Sequence, residues 1–146
     1  SFFPEKCIQK NELKQICSGL FNIYSNIKIV ILHSPNSVSK TNKIVSELDL
    51  DFVVPSYTTK TILDVAALIE QLDLIISPDT SIVHVASALD KPIVSIHENN
   101  KYSFRSWSPS STHTKTVFSP KDNSIDGFDV ERVIEFSNEL IKEISE

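Results

Sequence analysis

The stretch Asp73-Leu74-Ile75-Ile76-Ser77-Pro78-Asp79-Thr80-Ser81-Ile82-Val83-His84-Val85-Ala86-Ser87-Ala88-Leu89-Asp90-Lys91-Pro92-Ile93-Val94-Ser95-Ile96 decides the fold. Leu74 to Ser77 is a short apolar run stopped by Pro78, which reads as a buried strand. Ile82, Val85, Ala86 and Leu89 recur at i, i+3, i+4, i+7 and predict a helix over 79–89, with those four residues on the sheet-facing side. Asp79 is placed as its N-cap, with a carboxylate able to accept from first-turn N–H groups. Thr80, His84 and Ser87 form a separate polar stripe. Pro92 to Ile96 is a second apolar run. A strand, a helix and a strand in this order make a βαβ unit with parallel strands, and such crossovers are right-handed in nearly all cases.

The same alternation extends outward. Pro4 suits a first helical turn, and Ile8, Leu13, Ile16, Leu20 and Phe21 follow helical spacing to about Asn22. Ile27 to Leu32 is a nearly pure aliphatic run, expected of a strand buried on both faces. Asn36 or Ser37 opens a helix carrying Val38, Ile44, Val45 and Leu48. Phe52 to Val54 is a strand ended by Pro55, and Thr61 to Leu72 is a helix. His97 to Lys115 is polar and reads as irregular. Thr116 to Phe118 is a last short strand, and Phe128 to Ile144 is an amphipathic closing helix. The fold class is therefore α/β, a Rossmann-like, mainly parallel sheet flanked by helices. In open sheets of this kind ligands lie beyond the carboxyl ends of the strands. Attention falls on His33-Ser34-Pro35, Pro55-Ser56-Tyr57, Ser77-Pro78-Asp79-Thr80 and His97-Glu98-Asn99-Asn100.

Composition removes several function classes. The 146 residues fit one domain over 1–146. Hydrophobic residues are 40% and charged residues 23%, the usage of a globular chain, which excludes wholesale disorder. There are 2 glycines, Gly19 and Gly127, too few for a Walker A loop or a G-x-G-x-x-G turn. With 14 basic and 19 acidic residues the net charge is -5, which opposes non-specific nucleic-acid binding. No run approaches the ~18 apolar residues of a membrane span. There are 0 methionines, so the chain is expected to be processed or cut from something longer. Cys7 and Cys17 both fall in the stretch read as the first helix. Ten residues of helix span ~15 Å, beyond the ~7 Å limit for a bridge, so both are expected to be free thiols.

Chemistry at the start of the 79–89 helix suits a nucleotide sugar. First-turn N–H groups and the helix dipole favour phosphate oxygens by roughly 0.3–1 kcal/mol, up to ~2 when partly buried. A carboxylate at that point repels phosphate, so Asp79 is the better acceptor for sugar hydroxyls. His84 can donate to phosphate or hold the helix start. Taken alone, Asp79 reads first as an ordinary cap and His84 as an ordinary surface or core histidine, and spacing lifts neither above that. His33, Asp79, His84, His97 and His113 show no metal-ligand spacing, so no metal is expected. Lys101, Tyr102, Phe104, Arg105 and Trp107 mix basic and aromatic residues and read first as packing or domain contact. Glu131, Glu135, Glu139, Lys142 and Glu143 read as a solvated helix face.

Asp79-Thr80-Ser81-Ile82-Val83-His84-Val85-Ala86-Ser87-Ala88-Leu89, followed by Lys91-Pro92-Ile93-Val94, resembles the D-[TS]-G-x-x-H-x-A-[AS]-A-L…x-P-[VT]-V signature of glycosyltransferase family 9, the ADP-heptose:lipopolysaccharide heptosyltransferases and their relatives. Thr61 to Ile69 is similar to that family's S-L-x-E-L-A-A-L-I helix, and Asp73 to Ser77 to its A-D-L-x-[VI] strand. Arg105-Ser106-Trp107-Ser108-Pro109 is similar to its R-x-W-x-P segment. The specific likeness runs from about Thr61 to Ile144.

The resemblance implies an inverting transferase of the GT-B type, built from two facing Rossmann-like halves. This chain resembles the C-terminal, donor-binding half. It implies that a preceding strand with a basic phosphate-contacting loop, and an N-terminal half carrying the acceptor and the carboxylate proposed as general base, lie outside these residues. No catalytic residue is therefore assigned within the chain, and the isolated chain is expected to transfer nothing. The implied partners are ADP-heptose or another nucleotide sugar, a lipopolysaccharide core acceptor and the N-terminal domain. No cofactor, metal or nucleic acid is implied. A cytoplasmic location follows, peripheral at the inner face of the cytoplasmic membrane.

Donor-binding residues implied by the matching positions are Asp79, Thr80, Ser81 and His84. Ser56, Tyr57, His97, Glu98, Asn99 and Arg105 are expected to line the cleft. Two positions depart from the pattern. Ser81 replaces the glycine after D-T, and His97-Glu98-Asn99-Asn100 replaces G-P-T-x after the fourth strand. Two alternatives stand beside this reading. One keeps the family and changes the donor, for example to a UDP-sugar. The other is a non-catalytic α/β module such as a receiver domain, which needs an acidic cluster after its first strand, where this chain has His33-Ser34-Pro35.

Overall fold

The computed structural model describes residues 7–145. Pro4 lies outside them. The elements run α1 (Lys10–Ile23), β1 (Ile29–Ile31), α2 (Val38–Leu48), β2 (Val53–Pro55), α3 (Ile62–Glu70), β3 (Ile75–Pro78), α4 (Ser81–Ala88), β4 (Ile93–His97), α5 (Lys101–Trp107), β5 (Thr114–Phe118) and α6 (Val130–Ile144). A single 3-10 turn over Pro35–Ser37 leads into α2. The chain packs as two compact units: residues 9–65 form one, and the described residues before and after them form the other.

Each unit holds one parallel sheet. In residues 9–65, β1 pairs with β2 in the register Ile29 to Val53, Val30 to Val54 and Ile31 to Pro55. Pro55 thus closes the strand from within it. The expected double-faced burial of β1 is not found. Its three residues are half-buried, and among the described residues β1 pairs with β2 alone. Cys17, Leu48 and Val53 form the buried centre here, with Ile29, Ile31, Ile44, Val45, Leu50 and Phe52 packed round them. Phe21 stacks on Phe52 with ring centroids 4.4 Å apart. Burial pushes the Cys17 thiol up to about 11.

Helix α1 begins later than its apolar spacing suggests. The Glu12 carboxylate accepts from the Gln9 N–H at 2.8 Å, which fixes the entry at Gln9. Cys7 therefore precedes the helix, and the helical separation argument against a bridge does not apply to it. Both cysteines are nonetheless free thiols.

The second unit is built on the sheet β3-β4-β5, all parallel. Central β4 has all five residues buried, as expected of a strand with neighbours on both edges and helices α4 and α6 packed on it. Ser95 tolerates this because its hydroxyl pairs with Thr116 Oγ1 at 2.9 Å. Helix α6 buries Val133, Ile134, Ser137 and Leu140, and the Ser137 hydroxyl donates to Val133 O at 2.7 Å. Asp90, in the left-handed region at φ 51°, turns the chain out of α4. Its carboxylate then accepts from Thr112 N at 2.7 Å and Thr112 Oγ1 at 3.1 Å, tying this turn to the approach to β5.

The segment expected to be irregular contains α5 over Lys101–Trp107. Its entry is set by backbone bonding, with Phe104 N donating to Asn100 O at 3.0 Å. Helix α4 also differs in detail. Its fully buried residues are Val83 and Ala86, while Ile82, Val85 and Leu89 are half-buried. The stripe is rotated toward Val83, which the i, i+3, i+4, i+7 pattern had left out.

Candidate functional site

The carboxyl end of β3 runs into α4 through Asp79 and Thr80. Asp79 was expected to cap the helix, yet Thr80 does so. The Asp79 N–H donates to Ile96 O at 3.1 Å and so prolongs the β3–β4 ladder by one residue. Thr80 is the first residue off that ladder. It is extended at φ -136°, ψ 177°, and its hydroxyl accepts from Ile82 N at 3.4 Å. Ser77, buried behind it, holds Thr80 Oγ1 at 3.2 Å. Capping by Thr80 relieves the Asp79 carboxylate of that task.

That carboxylate is 11% exposed, and its Oδ2 lies 3.8 Å from Nδ1 of His97. Ser81 and His84 are exposed on the first turns of α4. A helix start leaves N–H groups without intrahelical partners, and together with the dipole they attract anions. The junction thus combines a nearly buried carboxylate, a group that can accept hydrogen bonds, with an anion-favouring helix start and an exposed imidazole. Ser87 completes the polar stripe differently, accepting from Ser110 N at 3.1 Å.

The residues expected to line a cleft divide. His97 does not line one. It is 2% exposed and boxed by Phe104 and Phe118, with ring centroids at 5.1 Å and 6.3 Å. The strand simply continues one residue beyond Ile96, and α5 lays Phe104 across its end. Glu98 is half-buried, whereas Asn99 and Arg105 are exposed. Asn99 N donates to Lys121 O at 2.6 Å. Ser56 and Tyr57 belong to residues 9–65. Ser56 is buried at 9%, its N–H donating to Ile31 O at 3.0 Å, and Tyr57 is 52% exposed. Among the described residues, no group of three or more His, Cys, Asp or Glu side chains is arranged to hold a metal ion. Among the described residues, no helix is long and apolar enough to cross a membrane.

The Asp79–His97 proximity escaped the sequence reading. The available signal was a histidine ending the most apolar strand, Pro92-Ile93-Val94-Ser95-Ile96-His97, where a cleft residue and a buried one look alike.

Parallel sheets with flanking helices, and a polar helix start at a strand's carboxyl end, define a Rossmann-like α/β fold. The model of glycosyltransferase family 9 (heptosyltransferase) matches residues 20–127, and the chain belongs to that family. Solved structures agree in fold. The E. coli ADP-heptose LPS heptosyltransferase II is 21% identical with a TM-score of 0.80, over 100% of this chain and 45% of that one. The family 9 glycosyl transferase of Veillonella parvula DSM 2008 is 19% identical with a TM-score of 0.77, over 98% of this chain and 44% of that one. E. coli heptosyltransferase WaaC, solved with ADP, is 16% identical with a TM-score of 0.73, over 96% of this chain and 42% of that one. The chain spans less than half the length of each. No curated protein sequence matches it significantly.

Proposed function

We propose that this chain is the donor-binding half of a glycosyltransferase that moves a heptose from ADP-heptose onto an inner-core sugar of lipopolysaccharide. The observation that carries the reading is the β3–α4 junction. Thr80 caps the helix there, and the nearly buried Asp79 carboxylate stands beside an exposed Ser81 and His84. Family membership over residues 20–127 and the ADP-bound state of WaaC supply the context.

In this reading Asp79 accepts hydrogen bonds from donor-sugar hydroxyls. The N–H groups of Thr80 and Ser81 and the His84 ring meet the diphosphate. Sugar transfer leaves negative charge on the departing nucleoside diphosphate. Fixed donors aimed at that charge lower the barrier, while the carboxylate holds the sugar in line for attack. Acceptor and general base belong to an N-terminal domain, so residues 1–146 alone bind donor weakly and turn nothing over. The intact protein works at the inner face of the cytoplasmic membrane, where its acceptor is presented. No metal takes part in the transfer.

Ser81 in place of the family's glycine, together with His97-Glu98-Asn99-Asn100 after β4, favours one second reading: the same chemistry with another nucleotide sugar, such as a UDP-sugar. Calorimetric titration of the intact protein with ADP and with UDP separates the two. Tighter binding of ADP supports the heptosyl reading. Preference for UDP replaces it with the second, and binding of neither removes both.

A further inference from the structure

His97 is the one buried histidine among the described residues, and the donor-binding scheme above gives it no task. An imidazole at the end of an otherwise aliphatic strand is costly, because its polar atoms leave water. A phenyl ring packs in the same space without that penalty. The position nevertheless fixes the ring on several sides. Phe104 meets it edge-on at 88°, and Phe118 lies against it at 51°. Those two phenyl rings are themselves packed at 5.0 Å. The backbone is held as well, with Ser119 N donating to His97 O at 2.8 Å. A ring so enclosed keeps one orientation, and in that orientation its Nδ1 faces Asp79 Oδ2 at 3.8 Å.

We propose that His97 is a positioning residue for Asp79: the caged imidazole orients the carboxylate that receives the donor sugar. The inference rests on the reading that Asp79 contacts that sugar. At that separation the dipole of the fixed ring acts on the carboxylate through space. Asp79 is fixed from the backbone by its N–H to Ile96 O, one residue from His97. The same strand end thus sets both the position of the main chain and the direction of the side chain.

The test uses the intact protein and compares affinity for ADP-heptose with affinity for ADP, since the sugar contact is the difference between them. Asp79→Asn lowers affinity for ADP-heptose about tenfold and leaves ADP unchanged. His97→Phe does the same while still unfolding cooperatively, because the phenyl ring fills the cage. His97→Gln, which keeps a donor, restores part of the loss. The double variant is no weaker than Asp79→Asn alone, as required of two groups acting as a unit. Wild-type affinity in His97→Phe, with Asp79→Asn weakened, overturns the positioning role and spares the sugar contact. Losses that multiply in the double variant overturn it too, since they mark independent effects. Wild-type affinity in Asp79→Asn, or no preference of the wild type for ADP-heptose over ADP, removes the underlying reading and this inference with it. The 15N resonances of the His97 ring give a check without ligand or His97 substitution: they shift in Asp79→Asn, and unchanged resonances overturn the pairing.

Discussion

Two strand-to-helix junctions of this chain carry similar residue types and use them in opposite ways. After β1, His33-Ser34-Pro35 turns inward on its own backbone. The His33 ring faces Ser34 O at 3.1 Å and Ser56 O at 3.2 Å, and since both are acceptors a neutral ring donates to one at a time. The Ser34 and Ser37 hydroxyls lie 2.9 Å apart, and Ser37 Oγ accepts from Ser34 N at 3.1 Å. After β3, the Thr80 hydroxyl caps the helix, and the Asp79 carboxylate lies 3.8 Å from the His97 ring. Local hydrogen bonding spends the polar groups of the first junction on structure. The second places a nearly buried acid and an exposed imidazole beside its helix start.

This contrast breaks most directly by exchanging effects. Asp79→Ala and His84→Ala each weaken binding of the nucleotide sugar to the intact protein by about 1.5–3 kcal/mol, roughly 10- to 100-fold, the range for hydrogen bonds involving a charged group. His33→Ala leaves that affinity unchanged and lowers stability by about 1 kcal/mol, the net worth of one hydrogen bond. Calorimetry and denaturant melts read the two axes. A binding loss in His33→Ala of the same size as in Asp79→Ala would erase the distinction.

Replacing the cap sharpens it. Thr80→Ala removes the acceptor for Ile82 N and costs about 0.5–2 kcal/mol of stability by urea titration. The corresponding Ser34→Ala costs less, because the first junction closes through backbone bonding as well, with Ser37 N donating to Ser34 O at 3.0 Å.

Acid gives a smaller effect, confined to structural carboxylates. The backbone N–H of Lys60, then that of Thr61, hold the Asp64 carboxyl below its ordinary value at the entry to α3. The backbone N–H and then the hydroxyl of Thr112 do the same for Asp90. A lowered folded-state value means that the unfolded chain binds protons first as pH falls. Their stabilisation is complete above the ordinary aspartate value and disappears as pH drops through the lowered one. Asp64→Asn and Asp90→Asn therefore flatten the acid limb of Tm against pH and leave the neutral region parallel to wild type.

The smallest effect concerns Cys17. Burial and a thiol pushed up to about 11 make it unreactive toward iodoacetamide at pH 8 in the folded protein. Labelling of Cys17 appears only with unfolding of residues 9–65, and prompt labelling would show that this core opens locally.

Much of the fold was legible where apolar pattern and punctuation agree. The β3-α4-β4 unit announces itself through two apolar runs, Pro78 and Lys91-Pro92, and α6 through its long amphipathic spacing. Legibility failed where partners are distant in sequence. Helix α5 lies in a Ser- and Asn-rich stretch without apolar period, and it forms as a short turn laid over the end of β4. The burial of His97 depends on Phe104 and Phe118, neither adjacent to it, so a residue expected at a cleft edge is enclosed instead. The arrangement of strands into a two-stranded and a three-stranded sheet is a pairing choice that strand-by-strand reading does not contain. At the candidate site, Asp79, Thr80, Ser81 and His84 could be marked from their motif. That Thr80 rather than Asp79 caps the helix needed the backbone ladder to Ile96.

The central claim is that the start of α4 holds a nucleotide diphosphate. A crystal structure of the intact protein with ADP tests it most directly. The account predicts diphosphate oxygens within hydrogen-bond distance, about 3 Å, of the Thr80 or Ser81 N–H and of the His84 ring. ADP bound elsewhere, with that helix start in contact with water alone, would contradict it.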